Sequence, residues 1–166
     1  MFAPKPISHD SVAGALAKAE RYRLLHEPGD AESICRDILA LEPSNQAALI
    51  SLILSLTDQI PDHPEAWSSA LAMVPNLDTS YDRAYYAGIA WERRAKARFR
   101  RSGHSAHDHV YDWILSAMEL FEEAERLRAP GNDDATLRWN ACARFLAANK
   151  EVKPRTEELA EPLQLE

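Results

Sequence analysis

Apolar residues recur at helical spacing along almost the whole chain, and no segment alternates apolar and polar with a period of two. The periodicity predicts helices over 9–25, 31–41, 45–58, 63–73, 79–101, 107–128 and 132–148. Turn or cap residues fall between these windows: "EPGD", "EPSN", "IPDHP", "PNLDTS" and "APGNDD". The expected fold is therefore all-α, with about seven helices in a single domain over 1–150. After Lys150 the stretch "EVKPRTEELAEPLQLE" carries two prolines and dense charge, which predicts a flexible acidic tail over 151–166.

Short-looped helices call for a search for internal repeats. Ala15, Leu49 and Ala84 recur at intervals of 34 and 35 residues, each in the first helix of a pair. Offsets 0, 3, 4 and 7 from them give Ala15, Lys18, Ala19 and Tyr22, then Leu49, Leu52, Ile53 and Leu56, then Ala84, Ala87, Gly88 and Trp91. The partner helices carry Ala31, Cys35, Ile38 and Pro43, then Ala66, Ala70 and Met73, then Ala117, Phe121 and Ala124. This pattern resembles the tetratricopeptide repeat over about residues 12 to 130, in three degenerate copies, with 132–148 as a terminal cap. The third copy departs in length, because the interval from Trp91 to Ala117 is far longer than the family's. The resemblance implies a right-handed superhelix of antiparallel helix pairs.

In that family the first helix of each pair lines a concave groove, and the corresponding positions here are Leu16 and Glu20, Ile50 and Leu54, and Tyr85 and Ile89. None is the lysine, asparagine or arginine that the family's carboxylate-clamp members use. The third helix, "AALISLILSL", is apolar around nearly its whole circumference, so its groove side needs a cover. The resemblance thus implies an adaptor or chaperone-like protein-binding module that accepts an apolar or helical segment of a protein or peptide partner, or of a second copy in a homodimer.

The chain of 166 residues has a formal net charge of −7, which argues against nucleic acid or an anionic membrane as partner. Its basic residues concentrate in the fifth helix, where Arg93, Arg94, Arg100 and Arg101 lie off the apolar face. They read as a solvated patch pairing with acidic neighbours such as "ELFEEAER", or as a docking patch for an acidic partner segment or a phosphate backbone. Cys35 and Cys142 are far apart in helical patterns and read as reduced core thiols. No apolar stretch has the length of a signal peptide or a membrane span, so the cytoplasm is the expected location. With five glycines, none in a phosphate-loop spacing, and no nucleophile triad, neither an enzyme nor a cofactor is expected.

Two features compete with that reading. The stretch "SGHSAHDHVYDW" holds His104, His107 and His109, weak metal candidates that would sit at the exposed tip of the third hairpin, where Ser105 or Asp108 would cap the next helix. An enzyme using this tip is the alternative function. Glu92 and Arg138 each interrupt the apolar arc of a helix. A half-buried acid and a half-buried guanidinium are most simply partners, and the spacing predicts a buried ion pair between them, with Lys96 at the edge of its arc.

Overall fold

The computed structural model describes residues 2–101 and 109–154. It is all-α: α1 (Val12–Leu24), α2 (Pro28–Leu41), α3 (Gln46–Gln59), α4 (Ala66–Met73), α5 (Ser80–Arg101), α6 (Val110–Leu127) and α7 (Asp134–Ala148), with single 3-10 turns at His9–Ser11 and Val74–Asn76. Each helix packs on the next in sequence, and α1 on α3 and α3 on α5 as well. No helix among the described residues is long and apolar enough to cross a membrane.

Local chemistry sets the helix ends. The Asn45 side chain accepts a hydrogen bond from the Ala48 amide at 3.0 Å and starts α3. Thr79 Oγ1 accepts from the Asp82 amide at 2.9 Å and donates to the Asp82 carboxylate at 2.6 Å, which starts α5. Proline at the first position lets α2 begin at Pro28, three residues earlier than the periodicity places it, because the missing amide would have had no partner there. His109 occupies the N-cap of α6 in a left-handed conformation (φ 69°), while Ser105 and Asp108 lie outside the described residues.

Two large apolar clusters form most of the core. The first joins α1 to α4 through Ala19, Ala31, Cys35, Leu52, Ile53 and Ala70, and the second joins α5, α6 and α7 through Ile89, Val110, Ile114, Phe121 and Cys142. Tyr86 packs against both. Val152 also belongs to the second cluster and is 5% exposed. The free tail expected from Glu151 onward is thus corrected at its start: an apolar side chain beyond α7 finds a core site, and the domain extends past Lys150.

The most extensive helix contact among the described residues is between α5 and α6. Gly88 faces the ring of Phe121, which is fully buried, and a Cβ placed on Gly88 would lie 2.6 Å from Phe121 Cε1 and 2.9 Å from Cδ1. Glycine is required there for close approach. Gly88→Ala should therefore destabilise the protein by about 1–3 kcal/mol through overpacking, although alanine favours helix by about 1 kcal/mol. Urea denaturation measures this, and equal or greater stability in the variant would mean that the Phe121 ring yields without cost.

Candidate functional site

The six positions assigned to a groove lie on α1, α3 and α5, and they differ widely in exposure. Glu20 is exposed; Leu16, Ile50, Leu54 and Tyr85 are half-buried. Leu16 packs against the small cluster of Val12, Ile38 and Ala48, and Ile50 against the first core cluster. Tyr85 stacks on Tyr81 with centroids 5.6 Å apart and tilts against Phe121. Ile89 is only 1% exposed, so its assignment to an open surface is corrected: it is a core residue against α6.

Charge, as well as apolar packing, connects these alternate helices. Asp58 on α3 accepts from Arg23 of α1 at 2.8 Å and pairs with Arg93 of α5 at 2.5 Å. Arg93 Nη1 also donates to Thr57 Oγ1 at 2.5 Å and to the Leu54 carbonyl at 3.2 Å. Burial lowers the pKa of Arg93, and the Asp58 carboxylate opposes that shift. Arg93 is thus a cross-helix tie, not a member of a solvated patch.

A second tie runs from α5 to α7. Glu92, 3% exposed, receives Lys96 on one carboxylate oxygen at 2.5 Å and Arg138 on the other at 3.1 Å. The structure brings together the two charges that interrupt their helical faces, and Lys96 joins them as an i, i+4 partner. For Arg138, burial acts to lower the pKa, but the Glu92 carboxylate and the Tyr85 hydroxyl outweigh it and hold the group above its ordinary value. Nearby Cys142 has its pKa pushed up to about 12, first by burial and then by Glu92. That thiol stays protonated, as expected of a core residue and not of a nucleophile. Burial likewise raises Cys35.

The remaining basic residues divide. Arg100 and Arg101 are exposed. Arg94 is half-buried, with its guanidinium 3.5 Å from the ring centroid of Trp67 on α4, 3.9 Å from that of Trp113 on α6 and 5.3 Å from that of Trp91. Trp67 and Trp91 meet edge-on at 4.8 Å, and His109 lies parallel to Trp113 at 5.6 Å. Of the three histidines weighed as metal ligands, His104 and His107 lie outside the described residues. No group of three His, Cys, Asp or Glu side chains among the described residues is arranged to hold a metal ion.

Two concavities accompany these groups. One of about 590 Å³ lies between the end of α1 and the end of α3, lined by Glu20, Arg23, Leu24, His26, Asp58 and Asp62. Leu24 is 82% exposed there, and the adjoining Leu25 is 59% exposed. The sequence does carry a signal for Leu24: it follows Ala15 by nine residues, half a turn away from the core face at 3.6 residues per turn. The other, of about 330 Å³, adjoins Arg94 and Trp113. Nothing in the sequence marks that site, because Trp67, Arg94 and Trp113 come together only through the packing of three helices.

The ion pair between α5 and α7 yields a quantitative expectation. Glu92→Gln and Arg138→Met should each destabilise by roughly 1–3 kcal/mol, less than for a fully buried pair because Lys96 remains and Arg138 is a third exposed. The double variant should lose less than the sum of the two. Strict additivity of denaturation free energies in the cycle would show that the two side chains do not interact. No family model, curated protein or solved structure matches this chain.

Proposed function

We propose that the chain is a tetratricopeptide-like protein-interaction module, an adaptor or chaperone-like protein that holds an apolar segment of a partner, or of a second copy of itself, at the junction of α1 and α3. The observation that carries this reading is Leu24, a large apolar side chain 82% exposed at the edge of a concavity of about 590 Å³. Leu25 extends the apolar surface, and Ile50 and Leu54 on α3 remain half-buried. The reading also rests on the repeat spacing and on the packing of α1 on α3 and α3 on α5 that such spacing requires.

The chemistry of the concavity narrows the partner. Glu20 and Asp62 add acid to an apolar centre, while Arg23 is already paired with Asp58. A segment with an apolar anchor flanked by a basic residue is complementary. The competing enzymatic reading would use the histidine tip, of which His104 and His107 lie outside the described residues, together with Glu92, whose two carboxylate oxygens are both taken by cations.

Replacing Leu24 and Leu25 together by serine should leave the melting temperature within about 2 °C, since surface changes of this kind alter stability by at most about 0.5 kcal/mol. The same variant should lose partner capture in cross-linking pull-downs or self-association in sedimentation. Leu52→Ala, at a core position 2% exposed, should instead cost about 2–5 kcal/mol. Unchanged capture and self-association in the Leu24 and Leu25 variant would remove the support for this surface.

A further inference from the structure

Phe2 and Leu24 are the two most exposed large apolar side chains among the described residues. Leu24 stands at the concavity between the ends of α1 and α3, whereas Phe2 belongs to the segment "FAPKPI" that precedes α1. Ile7 roots this segment by packing against the cluster of Val12, Ile38 and Ala48 at the start of α1. Residues 2–6 lie ahead of the root and are exposed. Pro4 and Pro6 fix their own φ angles and hold Ala3 and Lys5 toward extended backbone. An arm stiffened in this way gives up little conformational freedom when it docks.

The chemistry of the arm matches that of the concavity. Leu24 and Pro28 give the concavity its apolar part. Arg23 and Asp58 pair with one another, so Glu20 and Asp62 set the remaining charge. Neither acid makes an ion pair among the described residues, and neither does Lys5. The arm carries a phenyl ring and, three residues on, an ammonium group, which is the apolar anchor with a basic flank that this surface calls for. Its own concavity is badly placed to receive it: five extended residues span at most about 18 Å, while α1 is about 20 Å long, with the root at its start and the concavity at its end. Spanning the helix would consume the arm and leave no length to seat Phe2. A second copy has no such limit, because two α1 helices running side by side in opposite directions bring the root of each arm opposite the concavity of the other. The exposed side of α1 between root and concavity carries Ala13, Gly14 and Ala17, which leave room for that approach.

We propose that residues 2–6 of a second copy of this chain occupy the concavity, with Phe2 seated against Leu24 and Lys5 paired with Glu20 or Asp62, and that the exchange is reciprocal and closes a two-fold dimer. The inference rests on the reading of the α1 and α3 junction as a protein-binding surface and names the segment that fills it. Each copy is donor and acceptor at once, so the site is complete only in the dimer. Reciprocity also makes the two contacts mutually supportive, since the second arm docks within an assembly already formed by the first.

Sedimentation of the full chain from about 5 to 500 µM tests the proposal, at about pH 8, where His26 in the concavity is uncharged. The chain should dimerise reversibly over this range. Phe2→Ser should weaken the dimer at least about tenfold and Lys5→Glu about fivefold, with more salt dependence for the wild type than for Lys5→Glu. Both positions are exposed, so the melts should not change. The Phe2→Ser chain has lost its arm but kept its concavity. A fluorescent peptide of residues 2–8 with blocked ends should therefore bind it saturably, and binding should disappear when Leu24 and Leu25 are both replaced by serine. A chain that stays monomeric throughout, whether its arm is free or folded onto its own concavity, would overturn the proposal. So would self-association that Leu24→Ser with Leu25→Ser removes and Phe2→Ser leaves intact, an outcome that keeps the surface and rejects the arm. Dimerisation that depends on Phe2 and is indifferent to Leu24 and Leu25 would overturn both.

Discussion

The organisation of this protein depends on one constraint: successive residues of α5 are committed to different neighbours in nearly every direction around the helix. Gly88 admits Phe121 of α6, Ile89 enters the core, and Trp91 meets Trp67 of α4. Glu92 reaches Arg138 of α7, Arg93 reaches Asp58 of α3, and Arg94 lies against Trp67 and Trp113. Two turns of helix thus touch four others. A helix with so few free faces has a fixed rotation, since turning it by one residue would break the Gly88 contact and both ion pairs together. The rotation of α5 in turn sets where α3, α6 and α7 can lie.

This has a direct consequence for function. The alternate helices α1, α3, α5 and α7 are joined by Arg23, Asp58 and Arg93 and then by Glu92 and Arg138. A face crossed by paired charges is partly satisfied, and its half-buried apolar residues are correspondingly less available than an apolar helix in isolation implies. What remains open lies to either side of this belt: the Leu24 concavity at the first hairpin and the Arg94 pocket on the opposite face of α5. The first offers apolar surface rimmed by acid, and the second is lined by arginines and aromatic rings among the described residues.

Much of the fold is legible in the sequence because its signals are local. Asn45 and Thr79 start helices through their own side chains, and the helical period carries through the windows between. Glu92 and Arg138 are also legible, since a charge inside an apolar arc needs a counter-charge and the two are the residues that break their arcs. Ile89 is misread because the repeat spacing assigns one face of α5 to a groove, whereas α6 covers that side. Arg93 and Arg94 are misread for a related reason: off the apolar arc means solvent only when no other helix is there, and Asp58, Trp67 and Trp113 belong to helices whose placement the sequence does not specify. Val152 shows the same limit at the end of the domain, where charge density in the surrounding residues masks a single apolar anchor.

If α5 is the element on which the others depend, its middle should open only when the whole protein unfolds. Native-state hydrogen exchange of the amides of residues 88–94, followed against low concentrations of denaturant, measures this directly. The account predicts exchange free energies for these amides equal to the free energy of global unfolding, with the same denaturant dependence. Exchange of these amides through a local opening, several kcal/mol below the global value while amides of α3 remain protected, would contradict it.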